Sequence, residues 1–225
     1  TASGGEAAAV KVDVLSTDSI AAAVAEVESR FGQVDILVNN VGAILNGTMA
    51  DIPVAAWERI EQLNHGAVVR GVRAVLPAML ARGTGHIVCT ASFAGMYPYA
   101  STRLPYAASK AAVISLCQNL ALDCEPQGVR VSCLIPGPVA TTIGQTMTNY
   151  SPNLPMRGPG AGLGLLTTGQ AAQRFADGME AGRILIPSDE GLWSILRDWA
   201  ADPDAFVREK IAQAQRGEWG LPAHK

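Results

Sequence analysis

Charge is scarce in this chain: Asp, Glu, Lys and Arg make up 16% of its 225 residues, and the formal net charge is −3. No basic stripe is available to a nucleic-acid backbone, and no run of like charge marks a tail. Long apolar runs are missing as well, since none approaches the ~18 residues that a membrane-spanning helix needs. Cys89, Cys117, Cys124 and Cys133 show no CxxC spacing, and three of them fall in apolar stretches. They read as buried free thiols of a reducing compartment, not as a disulfide framework or a metal site. His65, His86 and His224 are not clustered with carboxylates, so no metal site is expected. No initiator methionine and no signal-peptide pattern stand at Thr1. These absences point to a soluble cytoplasmic protein, one domain over residues 1–225, long enough to bury a sizeable core.

Strand and helix signals alternate along what is present. Val10–Val14 alternates as a short strand does. Ser16 or Thr17 offers an N-cap for a helix with an apolar stripe at Ile20, Val24, Val27 and Phe31, stopped by Gly32. Asp35–Val38 is an apolar strand that runs into Asn39-Asn40-Val41-Gly42. A long helical region over about 54–80 carries Asn64 and Gly66 near its middle and Pro77 near its end. His86–Thr90 is the next strand, followed by a helix through Tyr106 and Lys110 to about Cys124. Val129–Ile135 is another strand, ending at Pro136-Gly137-Pro138. The alternation predicts an α/β fold, a doubly wound parallel sheet covered by helices on both faces. Ligands bind such sheets beyond the carboxyl ends of the strands. Asn39–Gly42, Ser92 and Pro136–Thr141 each follow an apolar strand directly.

Tyr106-Ala-Ala-Ser-Lys110 carries the chemistry. A tyrosine and a lysine four apart on a helix share a face, one turn above the other. A free phenol titrates near pH ~10 and is a poor acid or base at neutrality. A neighbouring ammonium is expected to lower that pKa toward the working range. Ser92, at a strand end fourteen residues upstream, supplies a hydroxyl that can hold a carbonyl or alcohol oxygen while a proton moves.

Over about Val10 to Thr142 the chain resembles the short-chain dehydrogenase/reductase family. Asn39-Asn40-Val41-Gly42 resembles the family's N-N-A-G element with valine for alanine, and Ser92, Tyr106 and Lys110 match its serine and Y-x-x-x-K pair. Asn64 falls where the family has a helix asparagine that anchors a water in a proton relay. Pro136 and Gly137, with Val139 and Thr141, resemble the P-G element that holds a nicotinamide carboxamide. Asp13, followed by Val14, stands where the family sets an aspartate against an adenine amine. The resemblance implies a Rossmann-like fold and an NAD or NADP cofactor, held by Asp13, Val14, Asn40, Val41, Gly42, Tyr106, Lys110, Pro136, Gly137, Val139 and Thr141. It also implies a homodimer or homotetramer, paired through the Tyr106 helix, whose Ala111, Ala112, Ser115 and Asn119 are small, and through the helical region at 54–80.

Two departures qualify the resemblance. No T-G-x-x-x-G-x-G turn precedes Val10, and Thr1–Gly5 resembles one only loosely. The expectation is an N-terminally incomplete piece of a longer protein, its sheet short of the first two strands. At the far end, Arg183–Glu190 stands in place of a strand leading to V-D-G-G, and a helical extension over 190–216 follows, its last helix started by Asp202-Pro203. That tail is expected either across a subunit interface or on its own sheet.

Between Thr142 and Thr167 the sequence is rich in Gly, Pro, Met and Leu. Loops of this length in compact domains are functional or disordered, and 143–167 reads as a substrate lid. Met156 from the lid, with Phe93, Met96, Tyr97 and Tyr99 from the segment after Ser92, are the candidate substrate contacts. The expected reaction moves a hydride between the cofactor and an uncharged, largely apolar secondary alcohol or ketone, with a bulky aromatic or alicyclic group. Tyr106 is the general acid or base, Ser92 binds the oxygen, Lys110 supports Tyr106, and Asn64 supports a water chain. Two alternatives are a non-catalytic sensor of the same fold and an epimerase or lyase that uses the cofactor without net oxidation.

Overall fold

Residues 4–160 and 162–220 are described in a computed structural model of the chain. Strands β1 (Ile36–Asn39), β3 (Gly85–Thr90), β4 (Val129–Ile135) and β6 (Leu185–Pro187) pair in parallel in the order β1-β3-β4-β6. A two-stranded ladder of β2 (Leu45–Asn46) and β5 (Thr148–Asn149) stands apart from that sheet. Parallel neighbours need crossovers: α2 (Val54–Glu61) and α3 (Ala67–Arg82) lie between β1 and β3, α4 (Leu104–Cys124) between β3 and β4, and α5 (Thr168–Glu180) between β4 and β6. Helix α1 (Thr17–Phe31) precedes β1, and α6 (Leu192–Ala201) and α7 (Pro203–Gln215) follow β6.

The central strands are apolar along their whole length because both faces are covered. Ile87 and Cys89 of β3 and Val131 and Cys133 of β4 join Val72, Val75, Met79, Val113 and Cys117 of α3 and α4 in one core. On the opposite face Val88, Leu134 and Ile186 take Phe175 and Met179 of α5. This is the predicted α/β sheet with helices on both sides. All four cysteines are buried and free. Cys89 and Cys133 are register partners, and the Cys117 thiol lies against both: Cys117 with burial pushes Cys89 well above the ordinary thiol range, and Cys133 with burial does the same to Cys117 against an opposing pull from Cys89. Protonated thiols of this kind are packing groups, not nucleophiles.

The stretch Val10–Val14 differs from expectation: it belongs to no strand. Asp13 turns the chain instead, accepting from the Leu15 amide at Oδ1 (3.0 Å) and from the Ser16 amide at its carbonyl (3.1 Å). An alternating pattern marks one apolar side, but a strand exists only where a ladder partner accepts its hydrogen bonds. Val10, Val12 and Val14 line a groove of about 410 Å³ with Ile36 and Val38. Strand β1 is the sheet edge there, with Ile36 and Val38 each 52% exposed.

Helix α1 begins as read, with Ser16 Oγ accepting from the Ser19 amide at 3.2 Å, and ends at Gly32 with φ 91°. Phe31, expected on its buried stripe, is 43% exposed. The helical region over 54–80 is broken by a π-helical turn, Gln62–Gly66, between α2 and α3. Such wider turns recur at functional sites, and this one buries Asn64 completely. At the far end α7 starts at Pro203 with the Asp202 carboxylate accepting from the Ala205 amide at 2.9 Å, the start signal read from the sequence. Among the described residues no helix is long and apolar enough to cross a membrane.

Candidate active site

The carboxyl ends of β1, β3 and β4 open onto a cleft of about 680 Å³. Asn40 and Gly42 line it from the loop after β1, Thr90 and Ser92 from the end of β3, and Pro136, Gly137, Val139 and Thr141 from the loop after β4. Tyr106 and Lys110 of α4 complete the wall. The sequence had placed these groups at separate strand ends; the parallel sheet brings them to one edge.

Lys110 reaches under Tyr106 and donates to the Thr90 carbonyl at 2.7 Å, with its Nζ 5.8 Å from the phenol ring centroid. It is only 3% exposed, and burial brings its ammonium down to about 8, against an opposing pull from Cys133 and Cys89. The phenol of Tyr106 is likewise buried, and this holds its pKa above the ordinary value. The Ser92 hydroxyl and the Arg103 charge draw it down without cancelling the burial. This differs from the expected direction: in this cleft desolvation outweighs the Ser92 hydrogen bond and the Arg103 charge, and Lys110 is directed at the Thr90 carbonyl. Ser92 Oγ accepts from the Ala94 amide at 3.2 Å and also lowers the Tyr99 phenol, which burial pushes up. Tyr99 thus stands beside Ser92 and Tyr106.

Asn64 joins three elements. Its Oδ1 accepts from the Ala43 amide (2.8 Å), and its Nδ2 donates to the Ala43 carbonyl and to Ser109 Oγ, both at 3.0 Å. The loop after β1 is thereby fixed against α4. Gly42 passes close to both partners: a Cβ there would lie 3.3 Å from Lys110 Nζ and 3.4 Å from Asn64 Oδ1. Thr90 Oγ1 donates to Asn40 Oδ1 at 3.0 Å, linking the ends of β1 and β3.

Other expected positions fall elsewhere. Val14 and Val41 line the groove beside β1, and Asp13 lines neither that groove nor the cleft. Phe93 is fully buried and packs beneath Gly137, where a Cβ would sit 2.7 Å from its ring. Tyr97 donates to the Pro159 carbonyl at 2.7 Å. Met96 is packed against the core, and Met156 is 38% exposed on the loop. None of Phe93, Met96, Tyr97, Tyr99 or Met156 lines the cleft itself. Sequence reasoning missed Ser188, whose Oγ accepts from the Gly137 amide at 2.8 Å, and Thr90. Both stand at or just past a strand end, the only signal that could have marked them.

Lys110, the paired hydroxyls of Ser92 and Tyr106, and backbone exposed at Gly42 and Gly137 fit the ribose and carboxamide end of a nicotinamide cofactor in donor chemistry. Thr141 adds a hydroxyl on the same rim.

A family model described as short chain dehydrogenase matches residues 1–151. The 2-(R)-hydroxypropyl-CoM dehydrogenase of Xanthobacter autotrophicus is 35% identical over 139 residues, covering 60% of this chain and 55% of the relative. The trans-4-hydroxycyclohexanecarboxylate dehydrogenase of Sinomonas cyclohexanicum is 37% identical over 132 residues, covering 59% and 50%. This chain therefore spans about half the length of these curated relatives. A gluconate 5-dehydrogenase from Burkholderia cenocepacia, solved in complex with NADP and tartrate, is 32% identical with a TM-score of 0.56, covering 59% of this chain and 52% of the other. With the matched residues spanning both the Tyr106–Lys110 pair and the strand ends that frame it, the chain belongs to the short-chain dehydrogenase family.

Proposed function

We propose that this protein is an NAD(P)-dependent oxidoreductase that interconverts a secondary alcohol and its ketone, with Tyr106 as general acid and base. The observation that carries the reading is the meeting of Ser92, Tyr106 and Lys110 on one wall of the cleft. When bound, the cofactor supplies or accepts the hydride. The chain's own groups handle the oxygen and its proton. Ser92 Oγ hydrogen-bonds the substrate oxygen and stabilises developing charge. Tyr106 gives its proton to that oxygen in reduction and takes it back in oxidation. Lys110 and Thr141 would hold the ribose and carboxamide of a bound cofactor, with Pro136, Gly137 and Val139 shaping the floor. Asn64 anchors the water chain that returns the proton to solvent. Asp13, read against the adenine amine, and Val14, Asn40, Val41 and Gly42 complete the proposed cofactor contacts.

The substrate reading is an uncharged, largely apolar alcohol with a bulky alicyclic or aromatic group. Support comes from the lining, in which Leu134, Val139, Ile143 and Phe175 stand beside a single charged residue, Lys110. A carboxylate inside the cleft would need a fixed cationic partner, since a buried unpaired charge is costly. A panel of ketones, keto acids and sugars with NADH and NADPH tests this. An apolar alicyclic ketone should give the highest kcat/KM; a charged keto acid or free sugar well above it would overturn the substrate reading. Substrate conversion with no net change in NAD(P)H would instead favour an epimerase or lyase, and no reaction at all a sensor.

Direction and pH are linked. Oxidation needs the Tyr106 phenolate and reduction needs the phenol, and burial raises the phenol's pKa. Oxidation should therefore gain rate as pH rises through the alkaline range, while reduction holds at neutral pH and falls only there. Paired pH–rate profiles check this, and opposite slopes would remove Tyr106 from the role.

Assembly follows from α4, which leaves Ala111, Ser115 and Asn119 exposed and Leu122 78% exposed. A homodimer or homotetramer across this face is the proposed state, and light scattering reads it directly.

A further inference from the structure

The loop over 151–160 is held from two sides. On the active-site side, Tyr97 Oη donates to the Pro159 carbonyl at 2.7 Å, and Arg103 donates to the Arg157 carbonyl. On the other side stands the C-terminal segment. The Gly158 amide donates to the Trp219 carbonyl at 2.8 Å, and the Gly160 amide to the Gly220 carbonyl at 3.0 Å. The Arg157 guanidinium donates to the Lys210 carbonyl at 2.8 Å and stacks on the Trp219 ring at 5.5 Å. Phe206 of α7 meets Tyr97 edge-on, with centroids 6.3 Å apart.

The end of α7 is shaped to deliver this strap. Gly217 takes φ 76°, a left-handed turn that favours glycine. Arg216 bonds Glu209 at 3.0 Å and Glu218 at 2.8 Å across that turn, sending Trp219 back toward the loop. On its inner side the loop presses on Tyr97–Arg103, and Arg103 lies 5.6 Å over the Tyr99 ring. Tyr99 in turn adjoins Ser92 and Tyr106.

We infer that the Trp219–Gly220 strap is a specificity element: it fixes residues 157–160 and, through them, the Tyr97–Arg103 segment that backs Ser92 and Tyr106 just outside the cleft. Arg157 and Trp219 are positioning residues in this scheme. Ordering a loop in advance removes that entropy cost from substrate binding. The benefit goes to substrates large enough to extend past the cleft lining onto the loop and the segment behind it, and it appears in KM more than in kcat. The inference rests on the proposed alcohol–ketone reaction.

The test compares the parent protein with a chain ended at Glu218, with Trp219→Ala and with Trp219→Phe. Hydrogen exchange at the Gly158 and Gly160 amides should speed up by about tenfold or more in the shortened chain, as for locally opened segments. With a bulky alicyclic ketone, KM should rise about tenfold, while a small ketone such as acetone changes by less than about twofold and kcat holds. Trp219→Phe should restore most of what Trp219→Ala loses, because the ring still stacks on Arg157. Unchanged exchange at Gly158 and Gly160 in the shortened chain would overturn the strap. Equal losses for small and bulky ketones would overturn the specificity role. Were the parent inactive on every ketone, the proposed reaction would fail, and exchange at the two amides would still decide whether the strap holds the loop.

Discussion

Tyr106→Phe should lower turnover by ~10²–10⁴ or more, the range for loss of a positioned acid or base, while leaving the fold in place. The ring is 9% exposed and belongs to the main core, so phenylalanine keeps its packing. What goes is the proton donor beside Ser92. Lys110 cannot substitute, because its ammonium is directed at the Thr90 carbonyl, 2.7 Å away. Burial raises the phenol's pKa and keeps it neutral at neutral pH, so Tyr106→Phe removes no charge interaction and thermal stability should change little. The measurement is kcat in both directions with thermal melts alongside. A variant that melts normally and keeps near-parent kcat would remove Tyr106 from the mechanism.

Gly95→Ala should have the largest effect on stability. Gly95 closes the short helical turn Phe93–Gly95 and lies directly against α4. A Cβ there would fall 2.6 Å from the Ala111 amide nitrogen and from the Lys110 carbonyl carbon. Both are helix backbone, which cannot swing aside as a flexible side chain would. Overpacking of this kind costs about 3 kcal/mol, and for a chain of this size that lowers the melting temperature by about 6–12 °C. The helix that must shift carries Lys110 and Tyr106, so cofactor affinity should fall with stability. A melting temperature within a degree of the parent would show that the turn gives way without cost.

Much of this was legible beforehand, for identifiable reasons. Strand β4 was read with its observed bounds because seven apolar-rich residues between Gly128 and Pro136 leave few other options. The N-caps at Ser16 and Asp202 were legible because capping is local, a side chain bonding an amide three residues on. Asn64 was singled out by resemblance, yet its bonds to Ala43 and Ser109, 21 and 45 residues away, could not be seen. Val10–Val14 misled for the opposite reason. Its alternation was real, but strand formation depends on a partner that local pattern does not contain.

The sequence by itself determined the layered α/β architecture, since period and apolar content decide which face of each element must be covered. It also put Tyr106 and Lys110 on one helix face, because four-residue spacing is a local property; bringing Ser92 to the same cleft was the work of the sheet. Tertiary structure alone decided the sign of the Tyr106 pKa shift, which depends on how completely the cleft excludes water. It also decided where the tail goes: the last helix and Trp219 lie on the chain's own loop. Whether a segment covers its own sheet or a neighbour depends on contacts between residues 157–160 and 219–220, about sixty positions apart, and no local period encodes that distance.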